Sequence, residues 1–391
     1  MARMQVRLAA VAAMIFTLTL AMHAGAQLPA KSTATDAAGF GGPGYANYHL
    51  GQAVVSRGEM QIRFHSRIEM RAGLWTGEDN QMLRGDLVER QGFGMPRARF
   101  GLWGQFADQV PFVIVTDLAA NRLTDAWVGY ERFKYAKLYF GARTIPFSRS
   151  AILSSADAAL SERSRSADAM APFRQIGLTV GGDYDMLGLT WRLGIYNGFD
   201  RMANFFQGAV NSSGLNGNQF HGLSGVARLQ IQPMGRLGPS VHDLQGGALR
   251  LSVGGGAYLN NGGATSGLGY SADLHVKVQG FHLLAEWIRD QADPKDKPTT
   301  SATIPASLTR QAISLEMGYV WRKFTVALRG ELIDPNLDVD NNDDELWVSA
   351  AVGRALMGNL FRVWLQYDHR REMNGQPFDN DSLLFKIMMR Y

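Results

Sequence analysis

The chain has 391 residues, 46% of them hydrophobic, 19% charged and none cysteine, with 44 glycines and a formal charge of +4. Soluble domains carry about 25% charged residues, yet no stretch of the chain beyond its N-terminal segment holds the 18 or more consecutive apolar residues that a membrane-spanning helix needs. The missing cysteines exclude a disulfide scaffold and any thiolate-held metal, and aromatic residues spread along the whole chain exclude intrinsic disorder.

Residues 1–26 read as a secretory signal. Arg3 and Arg7 form a basic start, Leu8 to Met22 is an apolar stretch too short to span a bilayer, and Ala24-Gly25-Ala26 gives a small-x-small cleavage pattern. Residues 27–58 are small and Gly-rich, and are expected to be a flexible N-terminal segment. From 59 to 391 the pattern has period two. Met60, Ile62, Phe64, Ile68 and Met70 fall on one parity, and Arg63, His65, Arg67, Glu69 and Arg71 on the other. A strand so patterned has one apolar and one charged face.

The alternation recurs along the chain. Phe100 and Leu102 oppose Arg97 and Arg99; Leu193 and Ile195 oppose Arg192 and Tyr196; Leu274 and Val276 oppose Asp273, His275 and Lys277. Further on, Leu315 and Met317 oppose Ser314 and Glu316, Val363 and Leu365 oppose Arg362 and Gln366, and Phe385 and Ile387 oppose Lys386. Short connectors such as 107–109, 185–186 and 322–323 alternate with long ones at 145–174, 198–220, 289–309 and 334–344. Short turns at one end and long loops at the other predict an all-β fold, a transmembrane antiparallel β-barrel of about 16 strands. Such closure pairs every backbone donor and acceptor within the bilayer. The soluble alternative, a large sandwich or propeller, fits the long strands, the charged second face and the terminal Tyr391 less well.

One region is more specific. Arg97-Ala98-Arg99-Phe100-Gly101, Asp125-Ala126-Trp127-Val128-Gly129-Tyr130, Pro146-Phe147-Ser148, Ser161-Glu162-Arg163 and Pro172-Phe173-Arg174-Gln175-Ile176-Gly177 follow one another within 92–184. This ordered set resembles the phosphate-selective porin O and P family. The resemblance implies a 16-stranded, homotrimeric porin of the bacterial outer membrane, with its third loop folded into the lumen and arginines guiding anions. Two positions depart from the family: Thr144 stands where it often has Lys, and Phe173 where it has Gly. Both bear on phosphate specificity more than on the fold.

The inward face supplies the candidate pore-lining and anion-binding residues. Arg63, Arg67, Arg97, Arg99, Arg143, Arg192 and Arg228 come from strands, and Arg149, Arg163, Arg165 and Arg174 from the 145–174 segment. Rings of basic side chains are how anion pores select, and the arginine fork matches phosphate oxygens bidentately. Seven serines between Ser148 and Ser166 add weak anion ligands. Alternatively, the arginines brace the lumen by pairing with acids such as Glu69, Asp117, Asp125, Asp183 and Asp273. The acidic run 338–345 reads as a solvated loop rather than a calcium site. No G-x-S-x-G elbow or phosphate-binding loop is present, and the histidines lie in separate segments. The expectation is a passive, non-enzymatic, anion-selective channel for phosphate or polyphosphate. It would sit in outer-membrane lipid, with no cofactor, metal or nucleic acid. A general diffusion porin with weak selectivity and an outer-membrane hydrolase barrel remain as alternatives.

Overall fold

A computed structural model describes residues 54–57, 59–76, 92–201, 206–207, 222–262, 265–295, 307–338, 344–357, 360–373 and 381–391. The signal, and the 27–58 segment up to residue 53, lie outside the described residues. Val54–Arg57 of that segment forms a short strand, β1, paired with the start of β2 (Met60–Thr76).

The chain continues through β3 (Gly92–Phe106), β4 (Val110–Asp117), β5 (Arg122–Tyr130), β6 (Lys137–Thr144), β7 (Arg174–Tyr184) and β8 (Leu189–Asn197). A two-residue pair, β9 (Asp200–Arg201) and β10 (Phe206–Gln207), stands apart from the main sheet. Then come β11 (Leu223–Ile231), β12 (Arg250–Asn261), β13 (Thr265–Val278), β14 (Phe281–Pro294) and β15 (Leu308–Trp321). The last are β16 (Phe324–Asp334), β17 (Glu345–Ala355), β18 (Phe361–Glu372) and β19 (Ser382–Arg390). Each of β2–β8 and β11–β19 pairs antiparallel with the next, β8 pairs with β11, and β19 returns to β2. The result is a closed barrel of 16 strands.

The alternation assigns the two faces. On β13 the side chains of Asp273, His275 and Lys277 are buried inward, whereas Tyr270 and Leu274 are 49% and 38% exposed on the outside. Outward apolar residues recur on the other strands, among them Phe140, Ile195, Val253 and Leu365, as a lipid-facing surface requires. Two inward glycines make room for aromatic rings. A Cβ on Gly129 would come within 2.7 Å of the Tyr139 ring, and one on Gly194 within 2.3 Å of the Tyr196 ring. The rings thus lie flat over these glycines, against the barrel wall.

Two connectors differ from the expectation. Strand β14 runs on to Pro294, so the 289–309 loop begins later than its composition indicated. The second difference is at 232–249, between β11 and β12. This connector leaves the same end as the turns 107–109 and 322–323, but it is long and its middle is buried. Backbone without regular structure inside a barrel needs polar partners. Lys277 Nζ donates to the carbonyls of Leu237 and Ser240, and His275 Nε2 to that of Val241 at 2.9 Å. The Asp243 carboxylate accepts the Gly280 amide at 2.9 Å. The inward charged residues of β13 therefore hold a second inserted segment.

Candidate functional site

The 145–173 segment leaves β6, crosses the lumen and returns to β7. Ser148 caps the helix Arg149–Ile152, and its hydroxyl donates to Glu286 at 2.8 Å. The Arg149 amide donates to the same carboxylate at 2.6 Å. Farther along, the Ser161 amide donates to Gln366 at 2.8 Å, and both the amide and hydroxyl of Ser166 donate to Glu331. Arg390 reaches Asp157 at 3.1 Å, and the Trp364 indole donates to the Ala159 carbonyl at 3.0 Å. Phe147 and Met170 pack with Tyr196, Phe199 and Tyr258 of the wall and its adjoining loop. The segment is thus fastened to the β11–β19 wall along its length. Several of its serines cap helices or anchor the segment; in the sequence they read as weak anion ligands.

Because the inserted segments cover that wall, nearly all inward side chains of β11–β19 are buried. Water reaches inward side chains mainly on β2–β8. Its basic lining is Arg63, Arg71, Arg97, Arg122, Arg143 and Arg192, with Arg163 from the inserted segment. Its acids are Asp125, Glu162 and Asp168. Arg97 bridges Glu69 at 2.6 Å and Glu162 at 2.7 Å. Behind it, Arg99 is held by Asp117 at 2.9 Å, and Arg174 by Asp125 at 3.3 Å. Arg192 lies 4.0 Å from Asp183. Arg143 stacks 4.3 Å above the Tyr139 ring and 5.3 Å from that of Trp127.

Arg163 donates from Nε to the Leu153 carbonyl at 2.8 Å, and its guanidinium lies 5.1 Å from the Phe173 ring. Burial and the neighbouring Arg174 lower its pKa to about 9. Burial works against ionisation of Glu162 as well, but Arg97 and Lys386 outweigh it and hold the carboxyl well below its ordinary range. Burial raises the pKa of Asp168, against the pull of Arg163.

Six of the expected lining residues are buried instead: Arg99 and Arg174 behind the carboxylates that hold them, and four more against the inserted segment. Arg67 is bound by Glu69 and Ser155, Arg149 by Gln230 at 3.2 Å, and Arg228 by Asp273 at 2.6 Å and the Phe147 carbonyl at 2.8 Å. Arg165 lies 3.6 Å from Glu345 and stacks on Trp347. These four brace the inserted segment. Arg122 was not among the expected residues. A register shift between Val115 and Thr116 brings it opposite the inward Asp117, and plain alternation carries no mark of such a bulge. Of the acidic run, 339–343 lie outside the described residues; Asp338 is exposed, and Glu345 turns inward to Arg165.

A closed antiparallel barrel with a loop inserted beside an arginine-lined passage is the architecture that outer-membrane porins share. Residues 68–234, which carry most of this passage, match the model of the family described as phosphate-selective porin O and P, the family its motifs resemble. Among curated protein sequences none matches the chain. Solved structures share the fold. An anion-selective porin from Comamonas acidovorans is similar at TM-score 0.53 and 12% identity, over 85% of this chain and 99% of that one. Pseudomonas putida OprB is similar at 0.52 and 13% identity, over 85% and 94%. Vibrio cholerae OmpT, in a trimer form, is similar at 0.51 and 11% identity, over 85% and 99%.

Proposed function

We propose that the protein is a passive, homotrimeric outer-membrane channel selective for anions, with phosphate or polyphosphate as its preferred solutes. The observation that carries this reading is the imbalance of the water-lined wall. Seven arginines face the passage against Asp125, Glu162 and Asp168. Partly dehydrated surroundings strengthen each charge contact, so a multivalent anion gains more than chloride beside Arg97 and Arg163. The family match over 68–234 supports phosphate, and the trimer form of the OmpT neighbour supports the assembly. Neither carries a catalytic role. Thr144, where the family often has Lys, leaves one charge fewer and predicts weaker phosphate binding.

A second reading, a general diffusion porin, is favoured by one observation: Arg97, Arg99 and Arg174 are already neutralised by carboxylates. Reversal potentials across a potassium chloride gradient in planar bilayers separate the two. The proposal expects preference for chloride, weakening at high salt as the field is screened over a Debye length of about 10 Å at 0.1 M. It also expects phosphate to block chloride current, with Arg163→Ala weakening the block. Cation preference overturns the anion reading; chloride preference without phosphate block leaves the general porin.

A further inference from the structure

The anion-selective reading concerns the passage as a whole, and the inference here rests on it. Below the Arg97–Glu162 level, toward the short-turn end, the character of the wall changes. Arg63 on β2 stands directly opposite Trp103 on β3. Trp103 is opposite Val113 on β4, which is opposite Trp127 on β5. All four lie on the inward face, and side chains directly opposite across a ladder sit about 5 Å apart at Cβ. The Trp103 and Trp127 rings meet edge to face at 6.3 Å, and Trp127 and Tyr139 do so at 5.4 Å. Arg143 covers the far end of this cluster.

The two ends of the row differ. Trp127 and Tyr139 are buried, but Trp103 keeps part of its surface in the passage, and Arg63 is exposed. With the described residues Arg63 makes no ion pair, unlike Arg97 and Arg99. An uncommitted guanidinium thus borders an indole that is already fixed from behind. Arg97 lies six residues from Trp103 along the strand, about 20 Å at ~3.3 Å per residue. A phosphate held near Arg97 cannot reach this row.

We propose that the Arg63–Trp103 pair is a separate subsite for organic anions carrying a flat ring, of which aromatic carboxylates are the simplest class. The carboxylate accepts from the Arg63 fork in bidentate fashion. The ring packs on Trp103, edge to face or offset, as aromatic pairs prefer. Inorganic phosphate satisfies only the first contact, and an uncharged ring only the second.

The test is block of chloride current through the reconstituted full channel by benzoate, acetate, benzyl alcohol and phosphate. Benzoate is expected to block at about tenfold lower concentration than acetate or benzyl alcohol, the size of one aromatic contact. Trp103→Ala and Arg63→Gln should each bring benzoate to the acetate level. Trp103→Phe should keep most of the difference, which separates loss of the ring from loss of the fold. Phosphate block should survive Trp103→Ala. Equal block by benzoate and acetate, or a benzoate effect untouched by Trp103→Ala, overturns the subsite. The reversal potential of the same channels reports the anion reading on its own: chloride preference with no benzoate effect sinks only the subsite, whereas potassium preference sinks both.

Discussion

The amide of Val241 donates to the backbone carbonyl of Asp157 at 2.8 Å. This bond joins two segments that enter the lumen from opposite ends, 145–173 and 232–249. The Ser240 hydroxyl reaches the same carbonyl, and Arg390 holds the Asp157 carboxylate at 3.1 Å. The two inserted segments are therefore clamped to each other and to the wall inside the barrel. Such fastening suits a pore that must keep a fixed width without moving parts.

Replacing 236–247 by a tight turn removes this support. Each backbone hydrogen bond lost is worth about 1 kcal/mol net. The barrel should still close, since no ladder is touched, but single-channel conductance should rise and open-state noise increase. Unchanged conductance and noise would show that the connector does not bear on the passage.

Glu286 accepts from Ser148 and from the amides of Arg149 and Ser150. Substituting Glu286→Ala strands these buried donors at a cost of about 1–3 kcal/mol. We expect flickering between conductance levels, with the 145–173 segment newly open to protease, while the barrel itself stays closed. Resistance to cleavage equal to the wild type would count against Glu286 as an anchor.

Asp168 gives a pH dependence with a definite sign. Its enclosure inside the barrel raises the carboxyl, which still lines the passage. A raised carboxyl takes up its proton at a pH above the ordinary value of about 4. Lowering the pH from 7 toward that range removes one negative charge from the passage, so chloride preference should increase. Asp168→Asn should show the higher preference at pH 7 and lose the step. Glu162, held well below its ordinary range by Arg97 and Lys386, should not contribute over this interval. A step that persists in Asp168→Asn refutes the assignment.

Gly194→Ala forces a methyl against the Tyr196 ring. Overpacking of this kind costs about 1–3 kcal/mol, which urea unfolding in lipid vesicles can measure. Gly225→Ala is the control, because nothing lies within 4 Å of a Cβ there. Equal stability of the two variants would mean that Tyr196 can swing into the lumen without penalty.

Much of the barrel was legible before folding. Alternation such as Phe385, Ile387 and Met389 against Lys386 and Arg390 is a local property of a strand between lipid and water. It fixes which face each side chain takes, and hence that Arg97, Arg99 and Arg143 point inward. The insertion of 145–173 could be read only through family resemblance. The role of 232–249 could not be read at all, because its Gly- and Pro-containing sequence is also what a solvated turn would carry.

What the sequence by itself determined is the strand pattern, the inward set of charges and the excess of arginine in it. Tertiary structure alone decided which arginines keep contact with water. Arg67, Arg149, Arg165 and Arg228 share their residue type with Arg63, Arg143 and Arg163, yet the inserted segment covers the first four and leaves the others at the passage. That division depends on barrel closure and on carboxylates more than a hundred residues away that hold the loop against one wall. Side-chain direction is set within a few residues, whereas electrostatic partners are set by which distant strands the closed ring brings face to face.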